Sequence, residues 1–168
     1  RASMQGIADQ AGISRAALYL HYRNKTDIFR ALMAHYFDAA AALVDEALAQ
    51  GGTPAEALRR AFAAQTGEAA AVMMASPHAE ELLSLKQSVA RDIIADGLKG
   101  LAEVYALWLS QGVVAGRISA VGAGPDPEAT ARAMLAALDG LKHTGLSPED
   151  HETARDRLAD LFGRALAP

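Results

Sequence analysis

The chain has 168 residues, 51% of them apolar and only 5% aromatic, and it contains no cysteine. That length carries one sizeable core, or a small module joined to a medium one. The absence of cysteine excludes a disulfide framework, a thiolate metal site and a cysteine nucleophile. The net charge of −4 conceals an asymmetry. Residues 1–37 hold five bases (Arg1, Arg15, Arg23, Lys25, Arg30) against Asp9 and Asp27, for +3, while the remainder holds eleven bases against eighteen acids, for −7. A basic head on an acidic body fits a molecule that meets phosphate at one end only. No apolar run reaches the roughly 18 residues of a membrane span, and the amino end shows no signal-peptide pattern, so a cytoplasmic protein without a membrane partner is expected.

Ala, Leu, Glu, Arg and Met are plentiful and β-branched residues sparse, which predicts an all-α fold. In chain order, a short helix is predicted over about 4–10, ended by Ala11-Gly12, with Gly12 supplying a tight turn. Ser14 caps a second short helix through about Leu20. Ile7, Ala8, Ala11, Ile13 and Leu18 are spaced to form the small core between the two. Such a pair has helix-turn-helix geometry, in which the second helix enters a major groove and the first crosses the backbone. Spacing alone also fits a generic pair of short helices.

Asn24, with Asp27 three residues on, caps a long helix to about Gln50, where Gly51-Gly52 stops it. Its apolar stripe runs through Ile28, Phe29, Leu32, Met33, Tyr36, Phe37, Ala40, Leu43, Val44, Ala47 and Leu48 at helical period. Thr53-Pro54, Ser76-Pro77, Asp126-Pro127 and Ser147-Pro148 each place a cap residue before a proline, so helices are predicted to begin near 54, 77, 127 and 148. Thr53 and Glu56 form a capping box. A further helix is expected from about Val89 to Gln111, and 119–126 (SAVGAGPD) reads as a glycine-rich loop. No segment has strand periodicity.

The segment IADQAGISRAALYLHYRNKTDIF resembles the DNA-binding signature of the tetracycline-repressor (TetR) family of transcriptional regulators. The shared features are an Ile-Ala, a turn glycine, a Leu-Tyr, a following aromatic and a lysine opening the next helix. WLSQGVVAGRIS and DPEATARAMLAALDGL resemble the body of such proteins more loosely. The resemblance implies a helix-turn-helix DNA-binding domain over 1–37 and an effector-binding and dimerisation domain over 38–168. It also implies a ligand-responsive regulator, released as a repressor from a double-stranded DNA operator by a small molecule. Family members usually carry a further helix ahead of this motif; it is missing from this chain, which begins at Arg1, so the expectation concerns the intact protein.

By position, the resemblance places Arg15, Ala16, Ala17 and Leu20 toward base edges, with Gln5 as an occasional base contact. Ser3, Tyr19, His21 and Lys25 fall where phosphates are held. The chemistry agrees: Arg15 can pair bidentately with guanine, and Ala17 or Leu20 can meet a thymine methyl. Lys25 lies in the first turn of a helix, whose N–H groups also attract phosphate. Tyr19 equally fits core packing, and His21 equally fits an idle surface residue.

The resemblance further implies an effector pocket in the middle helices and a homodimer through the last two. Phe62, Met73, Met74, Leu85, Tyr105 and Trp108 are the candidates to line an apolar pocket, methionine being suited to irregular ligands; all also read as ordinary core. Met134, Ala137, Leu138, Leu141, Leu158, Leu161 and Phe162 are the candidates for the dimer face, beside the small residues Ala133, Ala136 and Gly140. Ordinary packing within the chain would use the same pattern. His78, Glu80 and Glu81 read better as solvated first-turn groups than as metal ligands. No cofactor is expected. No phosphate-cradling glycine motif, Ser-His-Asp set or carboxylate pair is recognisable, so an enzyme is not expected. The competing reading is a helical interaction module that no longer binds DNA.

Overall fold

The computed structural model describes residues 3–66 and 89–168. Among them every regular element is helical: α1 Met4–Gln10, α2 Arg15–His21, α3 Lys25–Ala49, α4 Pro54–Thr66, α5 Arg91–Val114, α6 Ala120–Ala123, α7 Pro127–Gly140 and α8 Pro148–Ala165, with a 3₁₀ turn at Leu141–His143. The helix expected from Pro77 lies outside the described residues. The chain divides into two compact units, one of Arg1–Asp38 with Glu68–Gly97, the other of Ala39–Gly67 with Leu98–Pro168. Both α3 and α5 contribute residues to each.

The caps form as the side-chain chemistry requires. Ser3 Oγ accepts the Gly6 N–H at 3.0 Å and Ser14 Oγ accepts that of Ala17 at 3.0 Å. Asn24 Oδ1 accepts the Asp27 N–H at 3.0 Å, and the Asp27 carboxylate accepts the Arg23 N–H at 3.1 Å. At α4 the capping box closes, with Glu56 Oε2 taking both the N–H and the hydroxyl of Thr53 at 2.9 Å. These bonds hold the Glu56 carboxyl below its ordinary pKa. Asp126 and Ser147 cap α7 and α8 ahead of their prolines.

In the first unit, α1 ends in a Schellman motif. Gly12 has φ 68°, its N–H bonds Asp9 O at 3.2 Å, and the Ile13 N–H reaches back to Ala8 O at 3.0 Å. The two helices pack together across this turn, with Ala8 of α1 fully buried and Leu18 of α2 buried. Ile13, expected in that core, is instead 42% exposed, and Ala11 is exposed too. As the residue just past the left-handed glycine, Ile13 lies along the outside of the turn. A Cβ on Gly12 would meet nothing within 4 Å, so its only role is the backbone conformation. Gly12→Ala is expected to destabilise the protein by about 1–2 kcal/mol, with Gly12→Asn milder, in urea unfolding.

The same unit holds a long-range tie. Arg30 of α3 grips Asp92 of α5 bidentately, at 2.8 and 2.6 Å, and donates to Val89 O at 2.6 Å. Hydrogen bonding to Arg30 draws the Asp92 carboxyl down to about 2. A folded-state pKa below the unfolded value of about 3.9 stabilises fully above that value. The contribution is lost as pH falls from about 4 through about 2. Asp92→Asn should therefore flatten the acid limb of thermal stability over that window and leave a neutral-pH difference that does not grow at higher pH.

In the second unit, the buried stripe of α3 continues through Ala40, Val44, Ala47 and Leu48, while Leu43 turns outward. In the first unit, Phe29, Met33 and Phe37 are buried and Leu32 is exposed. The stripe is thus narrower than its apolar residues suggest. Arg60 of α4 donates to Ala47 O at 3.3 Å and to Gly51 O, satisfying carbonyls at the end of α3. Helix α8 packs against α4, with Gly163 seated on Ala55 and Arg59 paired with Asp160.

Two expectations need correction here. The helix expected to stop near Gln111 runs to Val114, because Gly112 is a close-contact residue beside Ile118 and the left-handed stop is Gly116, φ 67°. The expected loop 119–126 contains α6, capped by Ser119 and ended by Gly124. Gly122 is there for proximity: a Cβ on it would lie 1.9 Å from Ala165 O.

Candidate nucleic-acid interface

The site is built on α2. Its buried residue is Leu18, so the opposite side of the helix faces outward: Arg15, Ala16, Tyr19, Leu20 and His21 are exposed, and Ala17 is half-buried. Leu20 is 84% exposed. A leucine held almost wholly in water contributes nothing to this chain's core and is available for an apolar contact elsewhere. The outward face thus joins a guanidinium, two small side chains and one projecting aliphatic group.

Two polar side chains of the head are each held by a residue one turn on. Gln5 Nε2 donates to Asp9 Oδ1 at 2.7 Å. The Arg15 guanidinium lies over the Tyr19 ring, 5.4 Å from its centroid, with a terminal nitrogen 3.5 Å from the phenol oxygen. Neither Asp9 nor Tyr19 was singled out as a brace by sequence, although both lie at the (i, i+4) spacing that permits one. Ser3 Oγ accepts the Gly6 N–H and retains a hydroxyl hydrogen to donate. His21 stands beside Tyr22 with ring centroids 6.4 Å apart. Lys25 is half-buried at the first position of α3.

The head's charge is distributed differently from the expectation. Arg30, counted among its bases, is committed to Asp92, so the exposed cations on α2 and the following turn are Arg15 and Arg23. The missed signal was not local: Asp92 lies 62 residues downstream of its partner.

In the body, Phe62 and Tyr105 are brought together, fully buried, with ring centroids 6.0 Å apart at 60°. The Tyr105 hydroxyl donates to Gln65 Oε1 at 3.0 Å, and burial pushes that phenol far above the ordinary tyrosine range. It is a neutral donor at any physiological pH. Trp108 is half-buried, and Met73, Met74 and Leu85 lie outside the described residues, as do His78, Glu80 and Glu81. A surface hollow lined by Ser110, Val113, Ala120, Ala123, Gly124, Pro125 and Pro127 involves none of the pocket candidates. On the last two helices, Met134 and Leu138 are buried inside their own unit. Ala133, Ala136 and Gly140 are exposed, Ala137, Leu141, Leu158 and Phe162 are half-buried, and Leu161 is 51% exposed. Among the described residues no group of three or more His, Asp or Glu is placed to hold a metal ion, and no helix is long and apolar enough to cross a membrane.

Residues 1–32 match the model of the family described as bacterial regulatory proteins, tetR family. Among solved structures, the chain is similar to a TetR family transcriptional regulator, PfmR, from Thermus thermophilus. The two are 25% identical over 97% of this chain and 88% of that one, with a TM-score of 0.65. It shares its fold with apo AibR, at 21% identity over 99% of this chain and 88% of that one, with a TM-score of 0.57. No curated protein matches it.

Proposed function

The chain belongs to the tetR family of bacterial regulatory proteins, and from that premise we propose that this DNA-binding regulator is a repressor released from its operator by a small molecule. The observation that carries the reading is the outward face of α2, with Arg15 over Tyr19 and Leu20 84% exposed. That face offers a guanidinium suited to guanine and apolar groups suited to a thymine methyl. Gln5 adds a second candidate base contact, and Ser3, Tyr19, His21 and Lys25 serve the phosphates, which fix register without reading sequence.

One helix of this length reads too few base pairs for useful specificity, so the proposal includes a homodimer. Ala137, Leu141, Leu158, Leu161 and Phe162 are its contact residues, with Met134 and Leu138 supporting them from beneath. Residues 1–37 act as the reading head and 38–168 as the sensing and dimerising body. An apolar effector engages the region of Phe62, Tyr105 and Trp108 and displaces α3, whose start adjoins the head. Repression ends when the two recognition helices no longer match major-groove faces about 34–36 Å apart.

The test is binding of the natural full-length protein to a duplex enriched from a randomised pool, beside a scrambled duplex, titrated with salt. A large ratio between the two, with a steep salt slope, is the expected result. Equal and weak binding to both would favour the interaction module instead. Effector response is tested separately, by screening apolar compounds for thermal stabilisation. A compound that acts as the proposed effector stabilises the free protein and weakens its operator binding, and operator DNA must weaken that compound's binding by the same factor, because linkage is reciprocal.

A further inference from the structure

We propose that Tyr19 is a positioning residue that holds the Arg15 guanidinium ready for base reading. The proposal rests on the reading of α2 as the recognition helix and goes beyond it. The phosphate role implied for Tyr19 belongs to its hydroxyl; the role assigned here belongs to its ring.

The geometry carries the assignment. Arg15 and Tyr19 are one turn apart on the same exposed face, the guanidinium carbon is 5.4 Å from the ring centroid, and a terminal nitrogen approaches the phenol oxygen at 3.5 Å. A cation within about 6 Å of an aromatic face is attracted by its quadrupole. The nitrogen–oxygen contact is long for a hydrogen bond, so the ring does most of the holding. Tyr19 is 43% exposed, so much of its ring lies outside the helix-turn-helix core.

The arrangement suits base recognition. An arginine at the start of an exposed helix has many rotamers, and a bidentate contact to guanine requires one of them. Stacking restrains the guanidinium plane while leaving its edge open, and one contact to the phenol oxygen still spares most of its five N–H donors. The phenol oxygen accepts from Arg15, so its own hydrogen remains available to a phosphate. The two roles of Tyr19 are therefore compatible, and they separate by substitution.

The experiment uses the natural full-length protein as wild type, Tyr19→Phe, Tyr19→Leu, Arg15→Ala and the Arg15→Ala/Tyr19→Leu double variant. Thermal melting confirms that each is folded. In the free protein, the Arg15 δ-methylene protons should show an upfield ring-current shift that persists in Tyr19→Phe and disappears in Tyr19→Leu. On DNA, the readout is the affinity ratio between a duplex enriched by the wild type from a randomised pool and a scrambled duplex of equal length. Tyr19→Leu should lower that ratio roughly two- to fivefold per recognition helix. It should lower it no further once Arg15 is alanine, since coupled residues are not additive. Tyr19→Phe should keep the ratio, whatever it costs both duplexes alike through the lost hydroxyl. An unchanged ratio in Tyr19→Leu, or effects that multiply independently in the double variant, would overturn the positioning role while leaving the DNA-reading head intact. A wild type that enriches no duplex would overturn the DNA-reading head itself, and the positioning role with it.

Discussion

Arg15→Ala is expected to cut discrimination between operator and non-operator DNA by roughly one and a half to four orders of magnitude, with a much smaller effect on non-specific affinity. A bidentate arginine–guanine pair is worth about 1–3 kcal/mol of discrimination per site, and a dimer uses it twice. Arg15 is exposed at the first turn of α2, outside the Ala8–Leu18 core, so its removal leaves folding intact. Lys25→Ala should behave in the opposite manner. A phosphate contact has no sequence content, so its loss weakens every duplex alike. It also reduces the slope of log affinity against log salt by about 1 per protomer. The comparison is made by measuring both variants on both duplexes across a salt series. Indistinguishable patterns would remove the assignment of Arg15 to bases and Lys25 to phosphates.

The helix-turn-helix scaffold that carries these residues was visible in the sequence because everything that builds it is local. Ser3, Gly12, Ser14 and Asn24 each act on backbone groups within a few residues, and the caps at Thr53, Asp126 and Ser147 do the same for α4, α7 and α8. Local chemistry leaves a local signature. The tie between Arg30 and Asp92 has none, because each residue alone reads as an ordinary solvated charge. The bond from Tyr105 to Gln65 is equally silent across 40 residues. Glycine was the most ambiguous letter. Gly12 is a turn residue, as its place after Ala11 suggests, and Gly116 is another that was not anticipated, but Gly112 and Gly122 are there so that another part of the chain can come close. Apolar letters misled in a related way. Leu32 and Leu43 match the helical period of α3 yet face outward, because periodicity identifies a face without giving its width. For Met134 and Leu138, pattern could not separate burial within the chain from burial against a partner; the structure places both inside their own unit.

Gly163→Ala should be the more damaging change to stability, and it tests the same ambiguity. Gly163 lies inside α8, where alanine is intrinsically favoured over glycine by about 1 kcal/mol. On propensity alone the substitution would stabilise the protein. Packing opposes it: a Cβ there would fall 2.3 Å from Ala55 Cα and 2.6 Å from Ala55 N. Those are backbone atoms of the first turn of α4, with no rotamer to change, so relief requires the two helices to separate. Overpacking of this kind costs about 1–3 kcal/mol and occasionally more. The helices are also joined by the Arg59–Asp160 pair, which separation would strain. Net destabilisation by about 2 kcal/mol or more is expected in urea or thermal unfolding of the natural protein, with Gly163→Val worse. Gly100→Ala in α5 is the matched control, since a Cβ there meets nothing within 4 Å and the propensity gain should stand. Opposite signs for one chemical change at two helical glycines would identify the α4–α8 seat as the packing constraint on the body. Equal stabilisation at both would show that the seat relaxes freely.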